Sequence, residues 1–205
     1  MKITDVQACV IGRQEEHSGG SVWTFVRIYT DEGIVGTGEC NSGGPGYSGF
    51  ANKEAILAIK PLLIGEDPFN VNKIYEKLRR MGRYGGSINA PLIFALTGID
   101  NALYDIAGKA LGVPVYKLLG GKFRDRIRLY ADCHAGETND PKGYAEKALE
   151  VVDMGFSAVK FDVDSTGTGK LDPFNWTVGA KEMTHVIGLI EGIRNALGYE
   201  IDLAI

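Results

Sequence analysis

The stretch "GFSAVKFDVDSTG", Gly155–Gly167, decides how the second half of the chain is read. It leaves a glycine, runs through apolar residues, reaches a lysine, skips one position and then meets two aspartates. Alternation along a strand puts Ala158, Lys160 and Asp162 on one face, and Val159 and Phe161 on the other. In a barrel of parallel strands the apolar pair packs against helices. Lys160 and Asp162 then look into the interior near its mouth, where the carboxyl ends of strands line active sites. Partial desolvation lets a lysine's pKa fall toward neutrality there, which suits a base or a carboxylate clamp. The same two side chains could instead form an ion pair that serves only the fold.

The neighbouring segments support a parallel sheet. "RIRLYAD" (126–132) is a short strand. Asp140-Pro141 is a cap followed by proline at the first helical position, opening a helix that runs to Met154. Its face is Tyr144, Ala148, Val151 and Val152, and Gly155 ends it. "VGAKEMTHVIGLIEGIRNALG" (178–198) is a second helix, with Met183, Val186, Ile190, Ile193 and Leu197 in register. "YEIDLAI" (199–205) is a third strand. Strand, helix, strand, helix, strand is the order of parallel βαβ units. A last strand "IDLAI" with no helix after it is an uncovered apolar edge. The expectation is a chain incomplete as a folding unit.

The first half follows a different pattern. "SVWTFVRIYT" (21–30) and "IVGTGEC" (34–40) are β-branched and aromatic, and Asp31-Glu32-Gly33 between them is a three-residue hairpin loop. Two glycine-rich loops, 13–21 and 41–49, flank this ribbon and are too polar to be core. Residues 51–120 are helical. "NAPLIFALTGIDNALYDIAGKALG" (89–112) has apolar residues at 95, 99, 102, 103, 106 and 110, with Asn89 to cap its start and Gly112 its end. Two parts result, an α+β segment at 1–120 and a parallel α/β segment at 121–205.

Composition excludes several functions. The chain has 205 residues, 44% of them hydrophobic and 23% charged, with net charge −4. That balance gives no electrostatic case for nucleic acid or an anionic membrane. No apolar run has the length of a membrane span. The start, "MKITDVQACVIG", lacks a signal peptide's apolar region and cleavage site. Three cysteines without metal-ligand spacing read as reduced thiols in a cytoplasm. Other chemical candidates are weaker. His134, in "ADCHAG", follows the first α/β strand and belongs to a mouth-side loop. His17 lies in a glycine-rich loop, and His185 reads as a surface position on a helix. Cys133 reads as a small packed residue rather than a nucleophile. The glycine pair of "GTGE" (36–39) is too little to mean phosphate binding.

Three stretches then carry a family resemblance. "DEGIVGTGE" (31–39), "ALTGIDNALYDIAGKALGVPVYKLLGG" (95–121) and "AVKFD" (158–162) resemble the mandelate racemase/muconate lactonizing enzyme branch of the enolase superfamily. The resemblance covers essentially the whole chain. It implies an α+β capping domain followed by an incomplete (β/α) TIM-type barrel with about three strands present. It also implies Mg²⁺-assisted abstraction of the proton α to a carboxylate. Lys160 matches the first lysine of the branch's Lys-x-Lys, which contacts the substrate carboxylate. The second lysine is Asp162 here, which points away from a lysine-based racemase and toward a lyase, a sugar-acid (aldonate or aldarate) dehydratase. Cys133 and His134 match the strand end that borders the substrate. The loops 13–21 and 41–49 match two that close over it, with His17, Trp23 and Tyr47 as contacts.

The magnesium ligands would come from the ends of strands three to five, beyond Ile205, so none is assigned and this chain alone is expected to be inactive. Asp202 falls short of the end of strand three. A small-molecule carboxylate is the expected partner, with homo-oligomers implied and no nucleic acid or membrane. The alternatives are a racemase or cycloisomerase of the same superfamily, or a non-catalytic truncated fragment.

Overall fold

The computed structural model describes residues 1–12, 22–40, 46–81, 90–133, 138–163 and 178–205. They form two compact units, Met1–Phe123 and Arg124–Ile205.

The first unit is built on an antiparallel sheet of β1 (Ile3–Gly12), β2 (Val22–Thr30) and β3 (Val35–Cys40), in that order. Along β2 the period of two is strict. Val22, Thr24, Val26, Ile28 and Thr30 are buried, while the residues between them are not. The turn at Asp31–Gly33 is the expected hairpin loop. Gly33 adopts φ +79°, and its N–H donates to the Thr30 carbonyl at 3.2 Å. Helices α1 (Gly46–Ile59), α2 (Val71–Met81), α3 (Ala90–Leu111) and the short α4 (Val115–Leu118) follow. The buried face of α3 is Ala95, Ile99, Ala102, Leu103 and Ile106, as the spacing requires. These residues share one core with Val6, Val26 and Ile28 of the sheet, Ile56 of α1, and Ile74 and Leu78 of α2. Gly112, at φ +66°, ends α3. Asn89 lies outside the described residues.

The loop 41–49 departs from expectation at its end. Helix α1 begins at Gly46, and Gly49 is buried. The Thr24 hydroxyl donates to the Gly49 carbonyl at 3.0 Å, and a Cβ on Gly49 would stand 2.6 Å from Val22 Cγ2. Polarity suggested a surface loop. Absence of a side chain is what lets the backbone enter the core here. The "GTG" of β3 has a similar use. Cβ atoms on Gly36 and Gly38 would lie 2.1 Å from the Ala102 carbonyl oxygen and 1.9 Å from that of Gly98. The strand rests on the α3 backbone, so this glycine pair serves packing.

The second unit has a parallel sheet of β4 (Ala131–Cys133), β5 (Ala158–Phe161) and β6 (Asp202–Ala204), in that order. Helix α5 (Pro141–Asp153) is capped by Asp140, whose carboxylate accepts from the N–H groups of Lys142 and Gly143. It buries Tyr144, Ala148 and Val151. Helix α6 (Ala180–Leu197) buries Leu189 and Ile193, with Val186, Ile190 and Leu197 packed beside them. Met183 was expected on this face but is about half exposed, because the apolar cluster reaches α6 only at Val186, one turn later.

Strand β4 is much shorter than "RIRLYAD". A strand exists only where a partner supplies its ladder, and only Ala131–Cys133 register with Val159–Phe161. Ile127, Leu129 and Tyr130 are exposed. Arg128 between them donates to the Ser157 hydroxyl at 3.0 Å and the Ser157 carbonyl at 2.7 Å, and pairs with Asp202. It ties the starts of β5 and β6 to the chain entering β4. Among the described residues, no helix is long and apolar enough to cross a membrane.

Candidate active site

Both faces of β5 are decided by its neighbours. Val159 and Phe161 are fully buried in a cluster with Tyr144, Ala148 and Val151 of α5 and Leu189 and Ile193 of α6. The Phe161 and Tyr144 rings lie 5.4 Å apart, tilted by 39°. Lys160 and Asp162 therefore take the opposite face.

The parallel register then adds a residue that the chain order hides. Asp132 of β4 stands directly across from Lys160. The Lys160 ammonium donates to Asp162 Oδ1 at 2.7 Å and to Asp132 Oδ1 at 3.0 Å. Its side chain is 28% exposed, against 54% for Asp132 and 40% for Asp162. The cation is thus the most enclosed member of the three. The hydrogen bonds that Lys160 donates to Asp162 and then to Asp132 raise its pKa well above the ordinary lysine value, and desolvation does not offset them. The expected fall toward neutrality does not occur. Two carboxylates at contact distance outweigh partial burial, so Lys160 is a permanent cation at physiological pH and not a free base.

Cys133 is also placed by register. It pairs with Phe161, is 3% exposed, and belongs to the helix-side cluster. Its thiol donates to the Ala131 carbonyl at 3.4 Å, and burial pushes its pKa up. The structure gives Cys133 to the core, on the face away from Lys160. Trp23 lies on β2, on the side of the sheet opposite the core, about half exposed. Tyr47 is in the first turn of α1; its side chain, like His17 and His134, lies outside what the structure describes. His185 is not a bare surface residue. It is half-buried, and its Nε2 lies 2.9 Å from Asn139 Oδ1, linking α6 to the turn before α5.

Asp132 is the neighbour of Lys160 that the sequence did not reveal. Its only signal was parity with Cys133 in "YADCHAG", and that becomes readable once the register of β4 against β5 is known. Among the described residues, no three His, Cys, Asp or Glu side chains converge to hold a metal.

The chain is similar to known proteins along nearly its whole length. The family described as "Mandelate racemase / muconate lactonizing enzyme, N-terminal domain" matches residues 14–120. The D-xylonate dehydratase of Haloferax volcanii is 37% identical over 204 residues, covering 99% of this chain and 47% of that protein. The D-galactonate dehydratase of Pectobacterium atrosepticum is 37% identical over 186 residues, covering 89% of this chain and 44% of that protein. This chain therefore spans about half the length of the curated relatives it matches. A solved mandelate racemase/muconate lactonizing enzyme-like protein from Rubrobacter xylanophilus superimposes with TM-score 0.81 at 34% identity, covering 98% of this chain and 52% of that one. A member of the enolase superfamily from Salmonella Typhimurium gives TM-score 0.81 at 33% identity, covering 98% and 53%. The chain belongs to the mandelate racemase/muconate lactonizing enzyme family of the enolase superfamily.

Proposed function

We propose that this sequence serves an enzyme that dehydrates sugar acids. In that reaction a substrate loses the proton α to its carboxylate and the neighbouring hydroxyl leaves as water. The resulting enol tautomerises to a 2-keto acid. The observation that carries the reading is the Lys160 ammonium, held charged at the strand ends by Asp132 and Asp162. A fixed cation is suited to hold a substrate carboxylate and to stabilise negative charge that grows on it as the α-proton leaves. It is unsuited to take that proton, which favours a dehydratase over a lysine-based racemase. The likeness to D-xylonate and D-galactonate dehydratases points the same way. Within the proposal, Asp162 belongs to the site as a lysine partner. Trp23, His17, Tyr47 and His134 are substrate contacts, and no such role is proposed for the buried Cys133.

The family resemblance also implies a magnesium ion. The described residues do not fit one. The two carboxylates that converge already share the Lys160 ammonium, and a divalent cation placed there would meet a like charge. Magnesium therefore belongs to the proposal for the whole protein, and the role of Lys160 stands without it. Homo-oligomers and a cytoplasmic location are proposed on the same footing.

The test is a screen of aldonic and aldaric acids for 2-keto product, run on a polypeptide of the relatives' length that contains this sequence. Lys160→Ala should lower kcat/KM by about 100-fold or more, the scale of one lost charge-stabilising donor. Near-normal turnover in that variant would remove Lys160 from the mechanism. Deuterium exchange at the α-carbon without keto-acid formation would favour the isomerase alternative.

A further inference from the structure

We infer that Asp132 is a positioning residue for Lys160, fixing which of the ammonium's three donors faces the substrate. The inference rests on the dehydratase reading for its consequence, and on the geometry of β4 and β5 for its substance.

An ammonium carries three N–H donors and no acceptor. One donor of Lys160 goes along its own strand to Asp162, two residues on. A second goes across the ladder to Asp132, its register partner. Among the described residues the Lys160 ammonium makes no other hydrogen bond. One donor is left, and a tetrahedral nitrogen fixed at two corners has little freedom in where the third points. A carboxylate ligand fits that single direction. With Asp162 alone, the ammonium would turn about one hydrogen bond and present two donors over a cone. Lysine is a point charge on a flexible stem, so its aim must be supplied from outside. Asp132 supplies the second point of fixation from a different strand.

The electrostatics give the proposal a sign that a merely structural role lacks. Asp132 and Asp162 bring two negative charges to one positive. Replacing Asp132 by Asn removes a carboxylate that competes with the substrate for the same cation. Substrate carboxylate binding should not weaken, and KM should hold or fall. The ammonium, no longer aimed, should support the chemical step less well, so kcat should drop. Loss of fold would instead reduce the amount of active protein without changing KM.

Two measurements test this. The first is NMR titration of Lys160 in the 205-residue chain, with the side-chain signal assigned by its disappearance in Lys160→Arg. Asp132→Asn should move the Lys160 titration down by about one unit or more. Asp132→Glu, which keeps the charge, should retain most of the wild-type value. Asp132 is more than half exposed, so both variants are expected to fold. Asp132→Ser provides a second neutral variant. An unchanged Lys160 titration in folded Asp132→Asn or Asp132→Ser overturns the inference.

The second measurement is kcat and KM for 2-keto acid formation in the longer polypeptide. A roughly tenfold lower kcat with equal or lower KM in Asp132→Asn, restored toward wild type in Asp132→Glu, supports the inference. Equal kcat, or a KM that rises with it unchanged, overturns it. If the wild type makes no keto acid from any sugar acid, the dehydratase reading fails. The titration still decides whether Asp132 holds Lys160.

Discussion

Gly38 of β3 and Gly98 of α3 meet so closely that a Cβ on Gly38 would stand 1.9 Å from the Gly98 carbonyl oxygen and 2.8 Å from the Ala102 nitrogen. No side-chain rotation relieves that contact, because both obstacles are backbone. Gly38→Ala must push strand and helix apart and loosen the core beneath Val26 and Ile99. It should cost about 3 kcal/mol or more, the upper range for overpacking. Gly33→Ala is the comparison. Nothing lies within 4 Å of its Cβ, and only its φ of +79° is unfavourable, so it should cost about 1–2 kcal/mol. Urea denaturation of the two variants gives the order. A Gly33 variant less stable than the Gly38 variant would contradict the packing account.

The Lys160 cluster should make stability depend on alkaline pH. Its folded pKa is raised above the ordinary 10.5, so the native state holds the proton more tightly than the unfolded chain does. The contribution is fully present below the unfolded value. It shrinks once the pH passes about 10.4 and is lost as the pH rises through the folded value. Denaturation midpoints of wild type and Lys160→Met should therefore differ at pH 8 and converge as the pH is raised beyond 11. A difference that grows with alkalinity would show that the assigned sign is wrong.

Thiol reactivity should separate the three cysteines. None is in a disulfide; Cys9 is exposed on β1, while Cys40 and Cys133 are buried. Burial pushes the Cys40 thiol up to about 11 and raises Cys133 as well. The thiolate is the reactive form. At pH 8 an aromatic disulfide reagent should modify one thiol quickly in the native chain and all three in denaturant. Cys9→Ser should abolish the fast phase. A fast phase that survives this change would place Cys40 or Cys133 within reach of solvent.

Asp140 offers a test of local structure. Its side chain accepts from Lys142 N at 2.9 Å and Gly143 N at 3.0 Å at the start of α5. Asp140→Ala should cost about 1 kcal/mol, and Asp140→Asn or Asp140→Ser much less. Thermal unfolding of the three variants checks the ranking. Equal losses in all of them would mean that the carboxylate's charge, rather than its acceptor oxygen, matters at that end.

The sequence by itself determined what depends on near neighbours. The period of two along β2, the 3.6-residue stripe of α3, the Asp140 cap and the turn at Gly33 follow from side chains a few positions apart. So does the facing of Lys160 and Asp162, because alternation along one strand requires no knowledge of another. Tertiary structure decided what depends on which strands meet, and where. It set Asp132, 28 residues before Lys160, opposite the lysine, and so reversed the direction of the lysine's pKa. It turned Cys133 inward by pairing it with Phe161. It cut "RIRLYAD" down to three paired residues and gave the glycines of β3 a helix backbone to rest on. Register between distant segments is set by packing summed over a whole sheet, and no local pattern encodes that sum.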